Sequence, residues 1–204
     1  MKALAFSPQL VIMAKAPVAG TVKTRLAKTI GVGEATCFHR AMTERAVRRL
    51  TRTRRWRSCL AVAPDRFAAH PVWPEGIDIV PQGPGDLGRR MGRLFETLPP
   101  GPVVIIGSDI PDITPADIAA AFRALGSNDA VLGPAADGGY WLIGLKRMPR
   151  VLKPFPGVRW SSPDTRADTL ANLEGARVAL LRELDDIDTA EDYRTWRAGM
   201  GAGQ

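Results

Sequence analysis

Val103-Val-Ile-Ile106 is an unbroken run of β-branched apolar residues. A strand with one wet face alternates apolar and polar side chains; a gap-free run suits a strand buried on both faces, as in a parallel sheet with helices on each side. The run stops at Gly107, and Asp109 follows almost at once. A carboxylate just past a buried strand costs desolvation energy unless something compensates it. In open α/β sheets, ligands also bind beyond the carboxyl ends of the strands. Asp109 therefore has two readings: a turn or N-cap residue ahead of Pro111, or the holder of a divalent metal and, through it, of a phosphorylated ligand.

The rest of the chain repeats this grammar. Apolar runs at 10–14, 59–63, 77–80, 130–132 and 140–145 read as strands, and 177–181 as a final one. A helical stripe of Ala35, Phe38, Met42, Ala46 and Leu50 predicts a helix over 34–50, and a second is expected over 87–98. Thr114-Pro115 is a helix start, with Thr114 as N-cap and Pro115 at the first helical position. Further helices are expected from Ser162-Pro-Asp164 and after the 187–192 segment, the last carrying Tyr193 and Trp196. Strands alternating with helices argue for an α/β layered sheet. With 204 residues, one domain over 1–198 is expected, followed by a disordered tail over 199–204.

Composition closes several doors. Hydrophobic residues make up 45% and charged residues 24%, which is ordinary globular usage. No apolar run approaches the roughly 20 residues of a membrane span, and Met1 to Gln9 lacks the apolar core of a secretory leader, so no membrane partner is expected. Cys37 and Cys59 have no metal-ligand spacing and are expected as buried thiols in a reducing cytoplasm. His39 and His70 are too scattered for a histidine metal site. The net charge of +7 gathers locally: Arg48, Arg49, Arg52, Arg54, Arg55 and Arg57 crowd around Trp56. No zinc module, recognition helix or aromatic-interleaved strand accompanies them, so a solvated helix end is favoured over a nucleic-acid site.

Three segments carry chemistry. The loop Lys15-Ala-Pro-Val-Ala-Gly-Thr-Val-Lys-Thr-Arg25 follows the first strand. Gly20 permits close backbone approach, and Lys15, Lys23 and Arg25 can meet phosphate oxygens. It lacks the Gly-Lys-Ser/Thr step of the ATPase phosphate loop. Asp137-Gly138-Gly139 between two strands is a hairpin signal. The second glycine and Tyr140-Trp141 equally suit a wall against a sugar or base. Asp185-Asp-Ile-Asp188 packs three carboxylates into four residues; such a cluster repels itself unless a cation sits nearby, and magnesium or manganese would serve. Either Asp188 or Thr189 can cap the last helix.

In order along the chain, five segments resemble the bacterial DUF2064 family, often labelled glycosyltransferase-like, within the nucleotide-diphospho-sugar transferase (GT-A) superfamily. They are Lys15 to Leu26, Gly85-Asp-Leu-Gly-Arg-Arg-Met91, Gly107-Ser-Asp-Ile-Pro111, Gly133 to Gly144 and Asp186 to Asp192. The resemblance implies a three-layer α/β/α fold, its mixed, mostly parallel sheet holding about seven strands. It implies that the first loop binds nucleotide phosphates and that Leu87, Gly88 and Arg90 lie beside the nucleotide. Asp109 would stand in for the superfamily's Asp-x-Asp metal motif, of which only the last carboxylate is present, with Asp188 or Asp186 completing the metal site. Asp137, Gly138, Gly139 and Tyr140 would face the acceptor or sugar. Arg89 departs from the family, which typically has an acid there.

Two transfers compete. In nucleotidyl transfer a phosphorylated acceptor attacks a nucleoside triphosphate and pyrophosphate leaves, with Lys23, Arg25 and Asp109 neutralising and positioning charge. In glycosyl transfer a nucleotide-sugar gives its sugar to a small hydroxyl acceptor, and Asp137 is the candidate base. The cationic first loop favours the triphosphate reading. A non-catalytic nucleotide-binding or RNA-associated protein is the third reading, and a homodimer is left open.

Overall fold

The computed structural model describes residues 6–201, the last three through their backbone alone. Residues 1–5 of the segment read for a leader, and 202–204 of the expected tail, lie outside the described residues. Seven strands form one sheet: β1 (Gln9–Lys15), β2 (Arg57–Ala63), β3 (Asp78–Pro81), β4 (Val103–Gly107), β5 (Ala130–Pro134), β6 (Tyr140–Leu145) and β7 (Val178–Leu180). Six helices accompany them: α1 (Thr24–Ile30), α2 (Val32–Leu50), α3 (Leu87–Thr97), α4 (Pro115–Ser127), α5 (Thr165–Ala171) and α6 (Ala190–Gly201). The strand order is β3-β2-β1-β4-β6-β5-β7. β1 to β4 are mutually parallel, β6 runs antiparallel to β4 and β5, and β7 is parallel to β5. This is the expected mixed, mostly parallel α/β sheet.

The β-branched run sits where its composition demands. Val104 and Ile106 pack with Leu10 and Ile12 against Val47 and Leu50 of α2 and Ile118, Ala121 and Leu125 of α4. Val103 and Ile105 point the other way, with Val11, onto Met91, Leu94 and Phe95 of α3 and Leu173 beyond α5. A smaller cluster of Leu26, Phe38, Met42 and Ile187, with Tyr193 and Trp196 packed on it, joins α1, α2 and α6.

Two expectations need correction. α1 went unread because only Leu26 of its seven residues is buried, too short a stripe to show a period. Gly31, at φ 88°, then breaks the chain straight into α2. Cys37 is exposed and Cys59 half-buried, so the expectation of two buried thiols fails for Cys37. Cys37 lies off the Ala35, Phe38, Met42 stripe by which α2 packs. Burial pushes the Cys59 thiol up to about 12.

Thr114 caps α4 as expected, in a reciprocal capping box with Asp117. Asp117 also accepts two hydrogen bonds from Arg182, each 2.7 Å, which ties the segment after β7 to this helix. Burial alone would raise the Asp117 pKa, but the bonds from Arg182 and Thr114 outweigh it and bring the carboxyl down to about 2. A depressed carboxylate pKa stabilises the fold above its unfolded value near 3.8, and that share is lost as pH falls toward 2. Asp117→Asn should therefore cost about 1–3 kcal/mol at neutral pH in urea unfolding. The gap between variant and wild type should close on acidification over this window; a gap independent of pH would refute the pairing.

Candidate active site at the carboxyl edge of the sheet

Three segments far apart in sequence meet at the carboxyl ends of β1 and β4. The Lys23 side chain is 3% exposed, and its Nζ lies 2.7 Å from Asp109 Oδ2, 2.9 Å from Asp188 Oδ1 and 3.7 Å from Asp186 Oδ2. Lys23 sits just before α1 at φ 47°, ψ 44°, a left-handed conformation that costs a side-chain-bearing residue about 1–2 kcal/mol. The ionic contacts offset that strain. Burial by itself disfavours the ammonium, but Asp109 and Asp188 outweigh it and hold Lys23 well above the usual lysine range. Burial, and then Asp109, push the Asp186 carboxyl up to about 6, with Asp188 and Asp137 adding to the effect.

A strap after β7 delivers the two late acids. The Trp141 indole donates to the Arg182 carbonyl (3.1 Å), and the Ala136 amide to Asp185 Oδ1 (2.9 Å). The Leu184 amide donates to Pro134 O (3.1 Å) and that of Ile187 to Asp109 O (3.4 Å). Asp185 thus serves the β5–β6 hairpin, while Asp186 and Asp188 turn toward Lys23. Thr189 takes the capping role: its hydroxyl accepts from the Asp192 amide (3.3 Å), and Asp192 Oδ2 accepts in return from the Asp188 and Thr189 amides. The Asp188 side chain stays free for the site.

α2 braces the other two segments from beneath. His39 Nε2 lies 3.0 Å from the Lys15 carbonyl, and Thr43 Oγ1 lies 3.3 Å from Ser108 Oγ. One helical turn therefore anchors both the start of the first loop and the residue before Asp109.

Asp109, Asp186 and Asp188 can each offer a carboxylate oxygen within 4.8 Å of the others. Three hard oxygen donors at this spacing suit a small divalent ion such as magnesium or manganese. The Lys23 ammonium balances part of their charge at the same point of convergence.

Beside the cluster lies an open cavity of about 240 Å³, walled among others by Asp109, Asp137, Trp141, Trp160, Ser162 and Asp186. No lysine or arginine lines it among the described residues. The antiparallel direction of β6 starts that strand at this edge, so Tyr140 and Trp141 become wall residues. Asp137-Gly138-Gly139 is both hairpin turn and cavity wall. Asp137 accepts from the Gly139 amide (2.8 Å), and Gly138, at φ 85°, lies so close to the Pro163 carbonyl that a Cβ would collide with it. Asp137, Gly139 and Tyr140 line the cavity; Gly138 does not.

The other sequence candidates fall as follows. Leu87 lines the cavity. Gly88 is buried against Phe155 and Trp160 and does not line it, while Arg90 donates to the Gly85 carbonyl (2.8 Å). Lys15, the last residue of β1, and Gly20, on the loop that follows, are exposed. Arg25 is 74% exposed, with Nη1 3.7 Å from Asp188 Oδ2. Sequence reasoning missed Trp160, Ser161, Ser162 and Thr165, which complete the cavity. Their segment read only as a helix start; a tryptophan next to two serines ahead of that start was the available signal.

Fold and site together define a protein with the nucleotide-diphospho-sugar transferase fold. A protein from Desulfovibrio desulfuricans G20, provisionally named a nucleotide-diphospho-sugar transferase, is 27% identical, with a TM-score of 0.86 over 98% of this chain and 90% of its own. The CMP:2-keto-3-deoxy-manno-octonic acid synthetase, solved with CTP, shares the fold at 12% identity and TM-score 0.63, over 97% of this chain and 100% of its own. Rv0371c of Mycobacterium tuberculosis H37Rv, solved with manganese, does so at 18% identity and TM-score 0.53, over 94% and 97%. The family described as "Uncharacterized protein conserved in bacteria (DUF2064)" matches residues 46–162, and the chain belongs to it. No curated protein matches the chain.

Lys23→Met should leave three facing carboxylates without their cation and destabilise the fold by about 2–4 kcal/mol in urea unfolding at neutral pH. Pairing it with Asp109→Asn should recover part of that loss; additive losses would show that the cluster is not coupled.

Proposed function

We propose that the protein is a metal-dependent nucleotidyltransferase, moving a nucleotidyl group from a nucleoside triphosphate to a phosphorylated acceptor. The single observation that carries this is the position of the Lys23, Asp109, Asp186, Asp188 cluster. Asp109 and Asp186 of this cluster line the acidic, aromatic cavity, while Asp188 pairs with the exposed Arg25, and neither Arg25 nor the exposed Lys15 enters the cavity lining. Polyphosphate suits these two cations: Arg25 offers a planar fork and Lys15 a point charge. The acceptor's uncharged body suits the cavity, where Trp141 and Trp160 offer apolar faces and Asp137, Ser161 and Ser162 offer hydrogen bonds. Its phosphate belongs at the cationic edge, because the cavity wall would repel an anion.

In this reaction an acceptor oxygen forms a bond to the α-phosphorus as the bridging bond to the β-phosphate breaks. Pyrophosphate departs with the electron pair. An acceptor phosphate is already anionic, so no base has to remove a proton. A divalent ion held by Asp109, Asp188 and Asp186 would supply neutralisation of the phosphate charge. The chain's own residues align the reactants and keep the two charged ends apart. The CTP and the manganese found in two proteins of this fold are in keeping with this reading.

One observation favours a second reading, glycosyl transfer. Asp137 stands in the cavity wall among residues none of which is a cation, and a carboxylate so placed could take the proton of an acceptor hydroxyl. Pyrophosphate release decides between the two. Each nucleoside triphosphate with manganese or magnesium and a panel of sugar phosphates should yield it. Sugar transfer from a nucleotide-sugar without pyrophosphate would establish the second reading instead. Asp109→Ala should weaken manganese-dependent nucleotide binding at least about tenfold in calorimetry while the fold is retained. Unchanged metal-dependent affinity would remove Asp109 from the site.

A further inference from the structure

The opposite edge of the sheet has a chemistry of its own. Arg57 opens β2 in register with Gln9, Gln9 with Val103, and Val103 with Leu145, so these four mark the edge away from Lys23. Phe6 lies just before Gln9 and is 63% exposed; Met148 lies just beyond Leu145 and is 55% exposed. Both are held on the same turn: the Ser7 amide donates to Pro100 O (3.3 Å), and Arg147 Nη1 to Pro99 O (2.8 Å) and Gly101 O (3.1 Å).

Next to them runs the arginine segment. Arg48, Arg49, Arg52, Arg54, Arg55 and Arg57 are all exposed, and none takes part in an ion pair among the described residues. Arg49 is partly committed, donating to Pro111 O (3.1 Å). Trp56 is buried, and its indole donates to Leu50 O (3.1 Å). The one aromatic of this segment is thus an anchor and offers no face on which a base could stack. Carboxylates are spread along this edge: Glu75 and Asp78 ahead of and at the start of β3, Glu96 in the last turn of α3, Glu174 ahead of β7, and Asp129, which faces Arg177 at 3.6 Å.

Exposed arginines beside exposed apolar side chains match a bilayer interface, where phosphate headgroups border hydrocarbon. We propose that this edge docks on an anionic lipid bilayer, the arginines of 48–57 meeting headgroup phosphates while Phe6 and Met148 enter the interface. The candidate active site then faces away from the membrane, open to the aqueous phase. No described helix is long and apolar enough to cross a membrane, and a surface contact requires none.

Co-sedimentation of the full chain with vesicles tests this. The protein should partition onto phosphatidylglycerol vesicles and not onto phosphatidylcholine, and high salt should release it. Arg54→Glu with Arg55→Glu should lower the partition coefficient at least about tenfold. Phe6→Ser with Met148→Ser should lower it about tenfold too, with the unfolding midpoint unchanged in both variants. Equal binding to both vesicle types, or equal partition of wild type and the arginine variant, would overturn the proposal. So would binding of a homopolymer RNA with the same arginine dependence but none to phosphatidylglycerol, which would make the partner a nucleic acid.

Discussion

The contact of the Lys23 ammonium with Asp109 and Asp188 holds the functional end of this molecule together. Neither side of it is tolerable alone. A lysine this deeply buried would be driven toward its neutral form, and three carboxylates within reach of one another would repel. Together they close a ring between residues 23, 109 and 188, joining the first loop, the end of β4 and the strap before α6. The strain of a left-handed lysine at the start of α1 is offset by the same contacts.

Much of the fold was legible because burial writes itself into strands. All seven carry apolar residues, and one of the fully buried runs, Val103 to Ile106, has no polar break because it has no wet face. What stayed hidden were features set by pairing across long distances. The sequence shows that Asp185, Asp186 and Asp188 crowd one another, but not that Asp185 caps the hairpin amide of Ala136 while the other two face Lys23. That division follows from strap geometry, fixed by Trp141, Pro134 and Asp109 from elsewhere in the chain. Trp160 was missed for a similar reason: its neighbours Gly88 and Phe155 come from other elements, and no local period announces them.

Composition misled at Cys37: a cysteine on an amphipathic helix is expected to be buried, yet its angular position on α2 outweighs the general habit of cysteine. The positive excess within the net charge of +7 gathers in part at the amino ends of the strands, among Arg48 to Arg57. The carboxyl edge carries acids balanced by Lys23, with Lys15 exposed at its rim and Arg25 3.7 Å from Asp188.

The reversed direction of β6 has a consequence for how such a site can diversify. A parallel strand presents its last residues at the carboxyl edge, where connecting loops begin; β6 presents its first, Tyr140 and Trp141, at the head of a strand that pairs with both β4 and β5 from Leu142 onward, Tyr140 also lying in register with Pro134. One part of the cavity wall therefore belongs to the sheet, while another, Trp160 to Ser162, is loop. Substitutions in that loop can reshape what the cavity admits without disturbing Lys23 or its acids. Recognition of the second substrate and handling of phosphate charge are mechanically separable parts of one edge.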